Sequence, residues 1–239
     1  MAESLPGDPD AASVGEDPPR RGGEHGLRAG AGGPDAAGGT PPPDRSTRFI
    51  ETSRGILSYA QLAPLLAERV LRIEQDIAHG VFAAQPLDEQ LLIQFHQRLC
   101  GDLLPDWAGR WRTNEVRVGN LQPPPSHQVP VLMRDYSADL AARWPTLLPP
   151  LGHLLLETLA FAEGRLLTVH PFPDFNGRIT RLWLREILRR ASLPAVDLTV
   201  EGESARRAYF AALEAADQFN WQPLTDIWKT RFETAPIKS

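Results

Sequence analysis

His170-Pro171-Phe172-Pro173-Asp174-Phe175-Asn176-Gly177-Arg178-Ile179-Thr180-Arg181 is the stretch on which the reading of this chain turns. It interrupts two apolar helical patterns, one over Leu151 to about Thr168 and one over Asn176 to Ala191. Prolines at 171 and 173 force a rigid, non-helical loop between them. Asp174 and Asn176 are good N-cap residues for the second helix. The opening amides of that helix, near Asn176 and Gly177, are expected to face a ligand, and the helix dipole adds positive character there. A helix start of this kind suits an anion, phosphate above all. Gly177 lets a ligand come close to the backbone.

The charged residues agree with that reading. Each helical residue turns about 100°, so Arg178, Arg181 and Arg185 fall within roughly 60° of one another. Ile179, Trp183 and Ile187 form a separate apolar stripe for the core. Guanidiniums over a helix start would hold a polyphosphate well. Asp174 is a hard oxygen ligand of the kind Mg²⁺ takes, and His170 can accept a proton near neutral pH. Each residue has a bland account taken singly: a helix-terminal histidine, an ordinary cap, a solvated basic face. Four such features within twelve residues make the joint bland account the weaker one.

Outward from this loop the chain is mainly helical. Ser58 to Ala78 carries Leu62, Leu65, Leu66, Val70, Ile73 and Ile77 at helical intervals, and Gly80 ends it. Asp88 caps a second helix, and a third runs from about Val129 to Trp144. Ser204 to Phe219 and a short segment after Pro223 complete the set. Asn114 to Val118 alternates, Gly119-Asn120 is a turn pair and three prolines follow, so a short hairpin or extended flap is predicted there. Residues 1–47 are rich in Gly, Pro, Ala and Asp and read as a disordered tail, because they cannot bury enough apolar surface to offset chain entropy. The predicted organisation is that tail, an N-terminal helical segment over 48–80, and one helical domain with a β-hairpin flap over 81–239.

Composition narrows the function classes. The chain has 239 residues, 42% of them hydrophobic, enough for one domain with a real core. A formal net charge of -5 gives no basic footprint for nucleic acid. No apolar run reaches the ~20 residues that span a bilayer, so a membrane partner is not expected. The single cysteine, Cys100, excludes an intrachain disulfide and suits a reducing cytoplasm; its apolar surroundings predict a buried, inert thiol.

The loop resembles the Fic motif, His-x-Phe-x-Asp/Glu-Gly-Asn-Gly-Arg-x-x-Arg. The segment Trp107-Ala108-Gly109-Arg110-Trp111-Arg112 is similar to the family's Ala-Gly-x-Phe/Tyr-Arg stretch, and the region of Arg207, Tyr209 and Leu213 to its C-terminal helix. The likeness covers about residues 81 to 232, and the flanks resemble a bacterial subgroup known as mobile mystery protein B. The resemblance implies a Fic-type helical fold and transfer of AMP from ATP to a Ser, Thr or Tyr hydroxyl of a target protein. It makes His170 the general base, Asp174 the Mg²⁺ ligand, and Phe175, Asn176 and Gly177 the phosphate loop. Arg178 and Arg181 would hold the β- and γ-phosphates, and Val116 to Pro130 would form a target-aligning flap with Val118, Gly119, Asn120, Leu121 and Gln122 nearest its tip.

Two departures follow from the same comparison. Phe175 stands where the motif has glycine; in a left-handed conformation it would cost roughly 1–2 kcal/mol, unless the loop takes another φ and the ring packs inward. The family's inhibitory pattern, Ser/Thr-x-x-x-Glu-Gly/Asn, has no complete copy: Thr47/Glu51 and Thr199/Glu203 have the spacing, but Thr52 and Ser204 follow. A separate antitoxin-like partner or an unrestrained enzyme are the two consequences. The alternatives to AMP transfer are another donor (UMP, GMP, phosphocholine or phosphate) and a nucleotide-binding module with little catalysis. Gly177 stands where the phosphorylating Doc toxins carry lysine, which speaks against phosphate.

Overall fold

Ser58 starts the first helix by a reciprocal cap: its hydroxyl accepts from the Gln61 amide while the Gln61 side chain reaches back to the Ser58 N–H. The computed structural model describes residues 49–118, 121–147 and 152–235. The expected tail over 1–47 lies outside them. Helix α1 (Tyr59–Ala78) buries Leu62, Leu66, Ile73 and Ile77 along one face. Ahead of it, β1 (Phe49–Thr52) and β2 (Gly55–Ser58) form an antiparallel hairpin in which Phe49 faces Ser58 and Thr52 faces Gly55. That hairpin adds two short strands to the helical segment expected over 48–80. Strands of four residues are too short to show alternation against their surroundings.

Helix α2 (Glu89–Cys100) opens on Asp88, whose carboxylate accepts from the Gln90 amide. A single 3₁₀ turn, Ser126–Gln128, leads into α3 (Val129–Arg143), and a second, Trp144–Leu147, follows it. The flap expected to reach Pro130 therefore ends earlier, because its last residues have coiled. Helices α4 (His153–Val169), α5 (Asn176–Arg190), α6 (Glu203–Asp217) and α7 (Gln222–Glu233) complete the chain. The fold is mainly helical, with one small sheet among the described residues. No helix among them is long and apolar enough to cross a membrane.

Helix α4 is the axis of the molecule. It touches α3, α5, α6 and α7, and α5 in turn packs on α1 and α2. Close approach of α6 and α7 depends on Gly164, where an added Cβ would lie 3.0 Å from Ala216 Cβ and 3.0 Å from the Trp221 ring. The preceding residue, Glu163, is buried and accepts from Arg231 at 2.6 and 3.1 Å and from the Tyr209 hydroxyl at 2.7 Å. Three helices are thus joined through one carboxylate. The site loop hangs between α4 and α5, both of which bury most of their residues.

Candidate active site

His170 ends α4 in the left-handed region, at φ 49 and ψ 61. Such a conformation costs a non-glycine residue on the order of 1–2 kcal/mol, and the bonds around it offset that. Its N–H donates to the Leu166 carbonyl at 3.0 Å. Its own carbonyl accepts from Arg112 Nε at 2.8 Å, and the Arg112 amide donates to the Pro171 carbonyl at 2.9 Å. Arg112 is 2% exposed. Its Nη2 also reaches the carbonyls of Val169 and Pro124, and its Nη1 that of Asn114. One guanidinium therefore anchors both the end of α4 and the base of the flap.

The loop beyond His170 is tied to itself and to α2. The Asn176 side chain makes two bonds with Phe172, accepting from its N–H and donating to its carbonyl, each at 2.9 Å. The Phe172 ring stacks on the His96 imidazole at 4.0 Å with planes 7° apart. His96 accepts from the Gly109 amide at Nδ1, 2.8 Å away, which leaves the proton on Nε2 to face the Asp174 carbonyl at 3.3 Å. Gly109 adopts φ +68, and a Cβ there would lie 2.8 Å from Gln97 Oε1, so this position needs glycine.

Burial holds the His96 imidazole neutral, its pKa lowered from 6.5 to about 3, with the Asp174 carbonyl opposing only in part. Between those values the unfolded chain binds a proton that the fold refuses. Stability from His96 is complete above pH 6.5 and declines as pH falls toward 3, by about 1.4 kcal/mol per unit. Urea unfolding of the wild type from pH 7 to 4.5 should show that slope, and His96→Phe should flatten it. Equal slopes in the two proteins would refute the assignment.

The sequence expectation that Asp174 and Asn176 cap α5 is corrected. The N-cap is Phe175, which has no oxygen to offer the opening amides; Asn176 is already helical and bonded to Phe172. Phe175 sits at φ 61, so the left-handed cost expected of it is real, and it also packs inward, 0% exposed. Its ring lies 5.9 Å from Trp107, 6.2 Å from Tyr59 and 6.4 Å from His96, with the Arg178 guanidinium 5.6 Å from its centroid. Emptying an aromatic pocket costs about 3–5 kcal/mol, more than the ~1–2 kcal/mol of backbone relief. Phe175→Gly, although it restores the motif glycine, should therefore lose about 2–3 kcal/mol of stability in urea titrations. A gain in stability would show that the ring contributes nothing.

Asp174 is 7% exposed. Its Oδ1 accepts from the Tyr59 hydroxyl at 2.9 Å and from the Phe175 amide at 2.8 Å. Among the described residues no cluster of three or more His, Cys, Asp or Glu could cage a metal. One buried carboxylate beside a helix start fits Mg²⁺ arriving with a phosphate chain, which takes one or two protein oxygens and completes its shell from phosphates and water.

Arg178 and Arg181 occupy the first two turns of α5, both half-buried. Arg185, on the same face, is engaged elsewhere: its Nε pairs with Glu74 of α1 at 2.7 Å. Gly177 is buried beside them. In the expected flap, Val118 and Leu121 exchange backbone hydrogen bonds at 3.0 and 2.9 Å as an isolated antiparallel bridge, and Gln122 is exposed. Gly119 and Asn120 lie outside the described residues. Cys100 is buried, and burial pushes its thiol pKa up, away from reactivity.

Tyr59, His96 and Arg112 support the loop and were not singled out from the sequence. His96 lies on the apolar face of α2 and looked like a core position. Arg112 appeared only as the last letter of a resembling segment. Tyr59 gave no signal at all.

A left-handed histidine, a buried carboxylate and two arginines thus lie around one helix start, next to a central helix wrapped by others. Residues 86–188 match the model of the Fic/DOC family. Over 132 residues, 55% of this chain, it is 34% identical to protein adenylyltransferase fic-1 of Caenorhabditis elegans. Those residues cover 24% of that protein, so the chain spans about a quarter of the length of the curated relatives it matches. The fold is similar to the N-terminal FIC domain of Bep8 from Bartonella sp. 1-1C, with a TM-score of 0.64 at 18% identity over 83% of this chain and 97% of that one. It is also similar to BepC of Bartonella tribocorum, solved with bound AMPPNP, with a TM-score of 0.59 at 21% identity over 78% and 93% of the two chains.

Proposed function

We propose that residues 81–239 act as a protein adenylyltransferase, moving AMP from ATP to a Ser, Thr or Tyr hydroxyl of a target protein. The observation that carries this reading is the corner between α4 and α5, where His170 ends one helix, Asp174 lies in the loop, and Arg178 and Arg181 lie on the first two turns of the next. His170 takes the proton of the incoming hydroxyl while its oxygen bonds to the α-phosphorus. The bond from that phosphorus to the β-phosphate bridging oxygen breaks, and pyrophosphate leaves. Arg178, Arg181 and the start of α5 balance the charge on the departing group. Mg²⁺ held by Asp174 would neutralise phosphate charge when bound. Val118 to Gln122 would align the target by strand-like pairing, and the single buried thiol accords with work in the cytoplasm.

The Thr199/Glu203 pair has no usable geometry, since the four-residue spacing must lie on a helix to place both residues on one face. Thr199 precedes α6, bonded to Asp197, while Glu203 opens α6, 84% exposed and 3.8 Å from Arg207. Glu51 is exposed on β1, and Thr47 lies outside the described residues. A separate antitoxin-like protein is the proposed source of restraint.

Intact-mass spectrometry after incubation with each nucleoside triphosphate tests the reading. The wild type should gain an AMP adduct from ATP, and His170→Ala none. An adduct from another donor only would reassign the donor. Binding without any adduct, or an adduct appearing only in Phe175→Gly, would overturn catalysis by the natural chain.

A further inference from the structure

The family match begins at residue 86, yet a residue well upstream of it touches the proposed metal ligand. Tyr59, the first residue of α1, donates its hydroxyl to Asp174 Oδ1 at 2.9 Å. The same oxygen accepts the Phe175 amide at 2.8 Å. A carboxylate turns easily about its terminal bond. Two donors converging on one oxygen set its rotation before any ligand arrives. The chemistry of the donor matters as much as its position. A lysine or arginine in this place would pair with the carboxylate and compete with a cation, whereas a neutral phenol orients the group and leaves its negative charge in place.

Tyr59 is itself firmly held. The reciprocal cap of Ser58 and Gln61 fixes the start of α1, and buried Leu62 and Leu66 follow within two turns. Glu74 pairs with Arg185 of α5 farther along the helix. The Tyr59 ring also lies 6.2 Å from Phe175, the residue that replaces the motif glycine. A phenylalanine at 175 gives the Tyr59 ring a surface to rest on, which a glycine would not.

We propose that Tyr59 is a positioning residue for the metal-bound nucleotide, presetting the Asp174 carboxylate, so that the hairpin and α1 are part of the site. This rests on the nucleotide-transfer reading above. Hydrogen-bond partners of a metal ligand typically govern about 10–100-fold in metal affinity.

The test uses the full chain and AMPPNP, titrated calorimetrically across a range of Mg²⁺ concentrations and in EDTA. Tyr59→Phe keeps the ring and removes only the O–H. It should raise the Mg²⁺ concentration needed for half-maximal enhancement of AMPPNP affinity about 10-fold. Its melting temperature and its affinity in EDTA should match the wild type. Asp174→Asn should abolish the enhancement. An unchanged Mg²⁺ midpoint in Tyr59→Phe overturns the proposal, and so does a lower one, which would make the phenol a competitor. Equal losses in Mg²⁺ and in EDTA would also overturn it, by making Tyr59 a packing residue only. A wild type without Mg²⁺-dependent AMPPNP binding would instead remove the nucleotide-transfer reading, and this proposal with it.

Discussion

His170→Asn should abolish transfer of AMP to protein while leaving AMPPNP binding and the fold in place. The expected loss is about 10²–10⁴-fold, the range that general-base catalysis supplies. Asparagine is the informative replacement because of the backbone. His170 sits at φ 49, and asparagine tolerates that region, whereas alanine would add a conformational cost of about 1–2 kcal/mol and blur the result. Its carbonyl would stay bonded to Arg112, since that contact uses only the main chain. Single-turnover transfer with labelled ATP, beside calorimetric AMPPNP binding, separates chemistry from binding. Transfer within 10-fold of the wild type would show that His170 is not the base.

Arg112→Met should produce the largest loss of stability. The side chain is 2% exposed and donates to four carbonyls, those of Asn114, Pro124, Val169 and His170. Methionine fills much of the same volume but satisfies none of them. Bonds to a charged donor contribute about 1.5–3 kcal/mol each and are not additive, so the expected loss is about 3–5 kcal/mol. That corresponds to a melting shift on the order of 10 °C for a chain of this size. Arg112→Lys should recover little, because an ammonium cannot match a planar fork aimed at four fixed oxygens. Urea unfolding of both variants checks this, and a loss below 1 kcal/mol would contradict the anchoring role. Where the variants remain folded, transfer should fall as well, since His170 loses the contact that fixes its carbonyl.

The helices were legible because their apolar residues repeat at helical spacing and their ends carry caps. Asp88 announced α2, and the paired prolines at 171 and 173 announced the loop between α4 and α5. The candidate site was legible for the same reason: its groups lie within twelve consecutive residues. The supporting contacts were hidden because they join distant segments. Tyr59 meets Asp174 and His96 meets Phe172 only once α1 and α2 have packed against α5. No local pattern encodes such a meeting. The cap of α5 was misread for a related reason. Asp174 and Asn176 have the right chemistry for capping, but loop closure drew their oxygens to Tyr59, Phe175 and Phe172 instead. Phe175 shows how two effects that oppose each other locally are decided by packing, since its strained φ is outweighed by an aromatic pocket that only the fold assembles.

The four carbonyls gathered by Arg112 divide the molecule into what can vary and what cannot. Under the proposed role of the flap, its tip selects the client protein, whereas its root shares a fastening with the catalytic corner. New clients can then be acquired by rewriting residues between Val116 and Gln122 alone, with the chemical machinery left in register. Changes at the root would disturb recognition and reactivity together. Under that role, diversification is channelled toward the tip.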